Sequence, residues 1–503
     1  MSLQYLDRSI DVTTEFEAVI GLEVHVQLAT DSKIFSSARA RPDAGNSVAD
    51  EIVNGNTTPV CTGHPGTLPV LNVKAVEYAV RAGLATQCSI NSRSIFSRKH
   101  YFYPDSPKGY QISQFDLPLC EKGYLDIELG EDGQERKRIG ITRIHMEEDA
   151  GKSVHHHAYS LVNLNRAGVP LIEVVSEPEM RTPEEAGAYL RKLYAIVTAI
   201  GVCDGNLQEG NFRCDANVSI RPKGSPRFGI RAEIKNVNSF RFVEKAIEYE
   251  IERQRQVVLS GGQLVQETRL YDSQKNRTFS MRTKEEAEDY RYFPDPDLPP
   301  LLISPEQIEA IRASLPELPD QRRDRYVSDF GLKRYDATLM TSSPALGSYF
   351  EEGVRLAGAS AAKVLANLLS GEGVRLLSEA GIELQESRFT PAHFADLARA
   401  VGDQTLSITA AKQVLAILFR EGGDALSIVD REGLRQVSDL SALEPVIDEI
   451  ISKNPKQVDE YLGGKEKVLG FFVGQAMKAT QGKANPALLQ ELVIRKLVAK
   501  GKS

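Results

Sequence analysis

The sequence predicts an α+β fold built on an antiparallel sheet, and three observations carry that prediction. Positions 212–221 and 228–235 alternate apolar residues with charged or amide-bearing ones, as strands do when one sheet face is covered and the other is open. Helical segments interrupt such strands in an irregular order, unlike the alternation of a doubly wound sheet. Beyond a proline-rich stretch at 292–300 the pattern turns helical and stays so.

Along the chain, Glu23 and His25 come first, two apart in an alternating segment, so a strand sends both to one face. Positions 98–114 mix basic and aromatic residues, including Lys99 and Lys108, in a loop-like context. The run Arg143-Ile144-His145-Met146-Glu147-Glu148-Asp149-Ala150-Gly151-Lys152 gathers hard oxygen ligands, a histidine and a lysine. On a strand, His145, Glu147 and Asp149 share a face, with Met146 and Glu148 opposite. His155-His156-His157 reads as a polar loop, because adjacent histidines on a strand alternate faces and cannot all bind one ion. Glu173 follows in an apolar run, and Arg213 and Asp215 in the strand at 212–221. One helix opens at Thr182-Pro183-Glu184-Glu185, a capping residue followed by proline and acids, and runs to about Ile200 before Gly201. A second runs from about Phe240 to Leu259 and stops at Gly261-Gly262.

Prolines at 292–300 cannot continue a helix or a central strand and mark a boundary. From Ser304 onward the chain reads as helices of moderate length, with a weaker break at Glu421-Gly422-Gly423-Asp424. The expected division is a strand-rich domain over 1–295 holding the site, a helical domain over 296–420 and a helical tail over 421–503. From Gly464 the tail carries Lys465, Lys467, Lys478, Lys483, Arg495, Lys496, Lys500 and Lys502 against Glu466 and Glu491. Its apolar residues recur at helical spacing and belong to a core, while the basic face could meet RNA phosphates.

A chain of 503 residues has room for about three domains. Net charge is -8, so the molecule as a whole is not a basic nucleic-acid binder. Five cysteines, an odd number with no C-x-x-C pair, fit a reducing compartment. Residues 1–15 carry Asp7, Asp11 and Glu15 without an apolar core, which argues against a secretory or transit signal. No apolar run approaches the roughly 18 residues a bilayer requires, and a cytoplasmic location is expected, with no membrane partner.

Carboxylates with an occasional imidazole, and no paired thiolates, favour Mg²⁺ or Mn²⁺ over structural zinc. Magnesium keeps waters and binds substrate phosphates, so two or three protein ligands suffice. Solvated strand faces would account for any one of these positions. They do not account for Glu173, since a carboxylate in an apolar run needs a partner. The P-loop, the dinucleotide fingerprint and the G-x-S-x-G elbow are all missing. No cysteine has a convincing histidine partner, so the chain is not expected to supply a hydrolytic nucleophile.

Four motifs then carry a resemblance: positions 20–28 (IGLEVHVQL), Tyr101-Phe102-Tyr103-Pro104-Asp105 through Gln111-Ile112-Ser113-Gln114, positions 145–152 (HMEEDAGK) and positions 165–173 (NRAGVPLIE). With Val473-Gly474-Gln475-Ala476-Met477-Lys478 in the tail, the chain resembles the B subunit of aspartyl/glutamyl-tRNA amidotransferase from about Phe16 to its end. The resemblance implies a heterotrimer with an amidase (glutaminase) partner, which releases ammonia from glutamine, and a small third subunit. It implies that this chain uses ATP and Mg²⁺ to phosphorylate the side-chain carboxylate of Glu-tRNA(Gln) or Asp-tRNA(Asn), for ammonia then to displace the phosphate. It also implies a cradle of antiparallel strands like that of glutamine synthetase, and a tail that engages tRNA. Carried over by motif, His25, Glu147 and Glu173 match magnesium ligands, and Lys99 and Lys108 match lysines near the ammonia path. Glu23 and Asp215 match a second cation or the nucleotide, Glu148, Glu209 and Arg213 are secondary candidates at the cofactor, and Asp149 is a secondary candidate without an assigned role. Two departures stand out. Where some members carry C-x-x-C, this chain has Thr58-Pro59-Val60-Cys61, which argues against a zinc site. Where members often have V-D-x-N-R, it has Val162-Asn163-Leu164-Asn165-Arg166, which puts any charge role at 163 in question. The competing readings are a non-catalytic tRNA-binding scaffold and a stand-alone ligase for a small acid.

Overall fold

The computed structural model describes residues 15–41, 52–130, 133–237, 239–283, 290–436, 440–480 and 484–501. The charged leader read at the N-terminus falls, up to residue 14, outside them, as do Lys483 and Lys502 of the tail. The chain divides into two compact units, Met1–Pro319 and Asp320–Ser503.

Strands of the first unit include β1 (Phe16–Gln27), β2 (Ser89–Ile90), β3 (Ser97–His100), β4 (Tyr110–Ser113), β5 (Cys120–Leu129), β6 (Glu135–Glu148), β7 (Pro170–Ser176), β8 (Phe212–Pro222), β9 (Ala232–Val237), β10 (Glu267–Asp272) and β11 (Arg277–Thr283), and short pairs such as Lys152–His155 with Ser160–Asn163, so that His155 ends a strand and only His156 and His157 lie in the loop read there. Nine of them form one sheet in the order β11-β10-β9-β8-β1-β7-β6-β5-β2. Every neighbouring pair is antiparallel except β9 and β10. The α+β class with an antiparallel-dominated sheet is therefore as expected. The N-terminal strand lies in the middle, between β7 and β8, which puts Glu23 and His25 at the centre of the sheet.

Alternation decides which face is which. On β1, Ile20, Leu22, Val24 and Val26 are buried, as are Ile144 and Met146 on β6 and Ala216 and Val218 on β8. They share a core with α1 (Val73–Ala85), α2 (Pro183–Ala199) and α3 (Phe240–Leu259). Helix α2 starts where the sequence placed it: Thr182 Oγ1 accepts the Glu185 N–H at 3.1 Å, and Pro183 stands in the first turn. Ser239 caps α3 in the same way. The odd-numbered side chains of β1 thus point to the open face.

Three sequence expectations change. The strand read at 228–235 begins only at Ala232; a Cβ at Gly229 would lie 2.0 Å from the Ile220 carbonyl oxygen, so this stretch folds closely over β8 instead of pairing. The loop read at 98–114 is an antiparallel pair, with Lys99 opposite Gln111 and His100 opposite Tyr110, joined by turns. The first unit also extends past the proline-rich stretch. Phe293–Pro294 pairs with β3, where a proline at a sheet edge loses no ladder bond. Helix α4 (Pro305–Ala313), capped by Ser304, packs through Ile308 and Ile311 on the same core.

The regular elements of the second unit are helices among its described residues. Its buried apolar residues form two clusters, one spanning Tyr326 to Val429 and the other Leu443 to Leu497. The paired glycines at 422–423 do end a helix, but the next one, Ala425–Arg431, buries Ala425, Ile428 and Val429 in the first cluster. The separation thus falls between Val429 and Leu443, later than the break read at 421. In the tail Phe472, Ala476, Leu489, Leu492 and Leu497 are buried, as their spacing predicts. Arg495 and Lys496 are ion-paired with Glu444 and Asp448, whereas Lys467 and Lys478 are exposed.

Candidate active site

Strand register assembles a row of side chains on the open face. His25 stands opposite Glu173 on β7 and Arg213 on β8, and Glu173 stands opposite His145 on β6. Glu147, two residues along β6, turns to the same point. His25 Nε2 lies 3.5 Å from Glu147 Oε1 and 3.6 Å from Glu173 Oε2. One ligand atom from each of the three residues lies within 4.8 Å of the others. An octahedral hard cation with bonds of about 2.1 Å sets adjacent ligands about 3.0 Å apart and opposite ones about 4.2 Å apart. The group therefore fits such a cation after small side-chain shifts.

Supporting charges hold the row. His145 Nε2 approaches Glu173 Oε2 at 3.2 Å, and Arg143 Nε donates to His145 Nδ1 at 3.3 Å. Burial alone would raise the Glu173 carboxyl, but His145, His25 and Lys99 hold it well below the usual range. Lys99 is the reverse case: burial would lower its ammonium, while Glu147, Tyr292 and Glu173 hold it above the ordinary lysine range. Its Nζ sits 4.8 Å over the Tyr290 ring.

His25, Glu147 and Lys99 line a cavity of about 320 Å³, whose walls also include Lys108, Arg213 and Lys235. The face assignment made from alternation holds through Glu147 and fails at the end of β6. Glu148 also lines the cavity, at the point where its strand stops. Lys108 pairs with Glu148, whose Oε1 also accepts the Ile112 N–H. Asp149 is clamped between Arg166 at 2.7 Å and Arg213 at 3.2 Å. Burial would raise its carboxyl, but Arg213 and Arg166 outweigh that and lower it. Glu148 and Asp149 are thus braces that position cations in the cavity wall.

Further along the row Glu23 stands opposite Asp215. Asn217 Nδ2 donates to Glu23 Oε1 at 2.9 Å. Burial first, then the nearby charges of Glu173, Glu233 and Asp215, raise the Glu23 carboxyl. A second cavity of about 300 Å³ adjoins Glu23 on this face, walled by Val19, Val175, Pro178, Phe228 and Arg231. Glu209 is not part of either cavity: it lies in the loop before β8, where its backbone carbonyl accepts Arg166 Nη1 and its N–H bonds Asn206 Oδ1. Cys61 reaches the main cavity with its thiol held among Lys33, Ser36 and Thr58.

Sequence reasoning missed Glu233, Lys235 and Asp105. Lys235 Nζ binds Asp215 at 2.6 Å and Glu233 at 2.7 Å. The first two lay in the alternating stretch at 228–235, which puts them on one face, but the register shift that brings Lys235 to Asp215 leaves no mark in that alternation. Asp105 lines the main cavity with its Oδ1 buried and without a hydrogen-bond partner; its turn context gave no such signal.

Comparison with known proteins follows the same division of the chain. The family model described as GatB/GatE catalytic domain matches residues 18–309, and the one described as GatB domain matches residues 348–497. The B subunit of aspartyl/glutamyl-tRNA(Asn/Gln) amidotransferase from Trichlorobacter lovleyi is 56% identical over 483 residues, covering 96% of this chain and 99% of the relative. Its counterpart in Syntrophotalea carbinolica is 54% identical over 487 residues, 97% of this chain and 99% of the relative. That of Geobacter sulfurreducens is 55% identical over 487 residues, 96% of this chain and 99% of the relative.

Proposed function

Since the chain belongs to the family of aspartyl/glutamyl-tRNA(Asn/Gln) amidotransferase B subunits, we propose that its sheet face activates the side-chain carboxylate of an aminoacyl-tRNA for attack by ammonia. A carboxylate is a poor electrophile. Its oxygen therefore attacks the γ-phosphorus of ATP, releasing ADP and leaving an acyl phosphate. Ammonia adds to the acyl carbon, phosphate departs with the bonding pair, and a proton leaves the nitrogen. The product is Gln-tRNA(Gln) or Asn-tRNA(Asn).

The observation that carries this reading is the convergence of His25, Glu147 and Glu173 within 4.8 Å, on a cavity walled by lysine and arginine. Magnesium bound by these three residues would neutralise phosphate charge during transfer. Lys99 and Arg213 add fixed positive charge where the phosphoryl group and the leaving phosphate carry negative charge. Glu148 holds Lys108, and Asp149 holds Arg213, so these cations need not be ordered during the reaction. The second cavity suits a nucleotide base, with apolar Val19, Val175 and Phe228 beside Glu23 and Arg231. An open antiparallel face lined by carboxylates supports a cradle of the glutamine synthetase kind.

The missing hydrolytic nucleophile calls for an amidase (glutaminase) partner, joined by a small third subunit, and a cytoplasmic site of action goes with them. No helix among the described residues is long and apolar enough to cross a membrane. The exposed lysines of the tail are where tRNA phosphates would bind. A non-catalytic scaffold would have no use for two buried carboxylates beside two histidines, whose desolvation is costly without a ligand.

The test uses the chain assembled with its amidase and small partners, given ATP, Mg²⁺ and ammonium chloride with Glu-tRNA(Gln) or Asp-tRNA(Asn). Amidated aminoacyl-tRNA formed without glutamine supports the proposal and identifies the substrate. No product from either tRNA, with the complex intact, overturns it in favour of the scaffold.

A further inference from the structure

Asp105 is an acid of the main cavity that phosphoryl transfer leaves without a task. It lines the cavity that holds His25 and Glu147, and its Oδ1 is buried with no hydrogen-bond partner among the described residues. The other carboxylates of that wall each have a partner. Glu147 stands with His25, Glu148 with Lys108, Asp149 with Arg213 and Asp215 with Lys235. Lys99 in turn lies near Glu147 and Glu173. The basic residues of the cavity are therefore committed elsewhere. A buried carboxylate oxygen without a donor is costly, and a donor carried in by the substrate would repay it.

Backbone contacts fix the position of this acid. Ser106 N–H bonds the Tyr103 carbonyl at 2.9 Å, and the Asp105 carbonyl accepts the Gly151 N–H at 2.8 Å. The second bond ties the turn to the segment just after β6. A Cβ at Gly151 would lie 3.1 Å from the Asp105 carbonyl oxygen and 2.8 Å from Leu164 Cδ2, so this approach requires glycine.

We propose that Asp105 Oδ1 accepts a hydrogen bond from the α-ammonium of the aminoacyl group carried by the tRNA. The proposal deepens the carboxylate-activation reading above and rests on it. On an aminoacyl ester only the α-amino nitrogen carries positive charge near neutral pH. An acceptor without a protein donor, in an otherwise basic cavity, selects that group. The two ends of the substrate then meet opposite charges: the side-chain carboxylate faces Lys99 and Arg213, and the ammonium faces Asp105. Holding both ends sets the orientation in which the carboxylate oxygen meets the phosphoryl donor. No bond is made or broken at Asp105, which is a binding and specificity contact.

The test changes the protein and the substrate together. In the assembled complex, whichever of Glu-tRNA(Gln) and Asp-tRNA(Asn) wild type amidates is compared with the 2-hydroxyacyl-tRNA of the same length, in which a neutral hydroxyl replaces the ammonium. Wild type should lose roughly 10–100-fold in kcat/KM on the hydroxy substrate, the scale of one hydrogen bond to a charged group. Asp105→Asn, which keeps the shape of the side chain, should lose a similar factor on the aminoacyl substrate and little more on the hydroxy one, because both changes remove the same contact. Asp105→Ser, which removes the charge with a smaller side chain, should behave alike. Equal use of both substrates by wild type overturns the proposal, and that arm needs no variant. Losses that multiply in Asp105→Asn also overturn it, since the ammonium would then be read by another group. If wild type amidates neither tRNA, with the complex intact, the carboxylate-activation reading fails and the proposal with it. If wild type is active and Asp105→Asn matches it on the aminoacyl substrate, only the role of Asp105 fails.

Discussion

Glu147→Gln separates stability from cation binding in a way the geometry makes quantitative. Glu147 and Glu173 are both buried, with ligand oxygens no more than 4.8 Å apart. At an effective dielectric of about 20, two unit negative charges at that separation repel by about 3 kcal/mol. Lys99 and the two histidines offset part of this. Glutamine keeps the shape of the side chain and can accept from Ser113 Oγ, which lies 3.4 Å from Glu147 Oε2. Without a divalent cation the variant should therefore be as stable as wild type, or more stable by up to about 3 kcal/mol. With the cation the order reverses. A ligand at 100 times its Kd stabilises the folded protein by about 2.7 kcal/mol, and wild type should gain that much from Mn²⁺. A variant with one of two carboxylate ligands removed should gain under about 1 kcal/mol, since even indirect damage to a metal site lowers affinity 10–100-fold. Urea denaturation of the purified chain, with and without Mn²⁺, reads both quantities. A metal-free variant less stable than wild type by more than about 1 kcal/mol, yet stabilised by Mn²⁺ as much as wild type, would refute the assignment of Glu147 as a ligand.

Other expectations follow from the same contacts. Asp149→Asn leaves the Arg166 and Arg213 guanidiniums without their shared carboxylate and should cost roughly 2–3 kcal/mol in urea denaturation, less than a fully buried pair because Arg213 is partly exposed. Glu173 and Asp149 both have carboxyls held below their ordinary values, so the stability they contribute is present above about pH 4 and is lost as pH falls through their folded-state values. Urea midpoints of wild type should therefore drop on acidification below about pH 4, and Glu173→Gln should flatten that limb. Reversing charge at the exposed Lys467 and Lys478 should raise the KM for charged tRNA several-fold and leave the KM for ATP unchanged in steady-state assays; equal effects on both would remove the tail from tRNA binding.

Much of the open face was legible because a strand's period of two is a strong constraint. Glu23 and His25 on one segment and Asp215 on another needed only alternation, Glu173 stood out as a carboxylate in an apolar run, and β7, β1 and β8 then aligned them. Alternation gave no warning where pairing ends. Glu148 joins the cavity where β6 stops, and positions 228–231 alternate in sequence while folding over β8 through Gly229. Glu209 marks another limit, since a carboxylate in a loop has no period to fix its direction. The proline-rich boundary misled for a related reason: proline excludes central strands and helix interiors, yet Phe293–Pro294 pairs at an edge. Lys235 was hidden by a bulge, an irregularity that no periodic reading contains.

If the side-chain carboxylate is phosphorylated before ammonia attacks, one of its oxygens must leave with the phosphate. The assembled complex should be given Glu-tRNA(Gln) or Asp-tRNA(Asn) whose side-chain carboxylate carries ¹⁸O, with unlabelled ATP, Mg²⁺ and ammonium chloride. Mass spectrometry of the products then follows one oxygen. Inorganic phosphate should carry ¹⁸O in proportion to amide formed, and both signals should be lost in Glu147→Gln. Amide formed with the label in AMP, or with no label in any nucleotide or phosphate product, would contradict phosphorylation before attack.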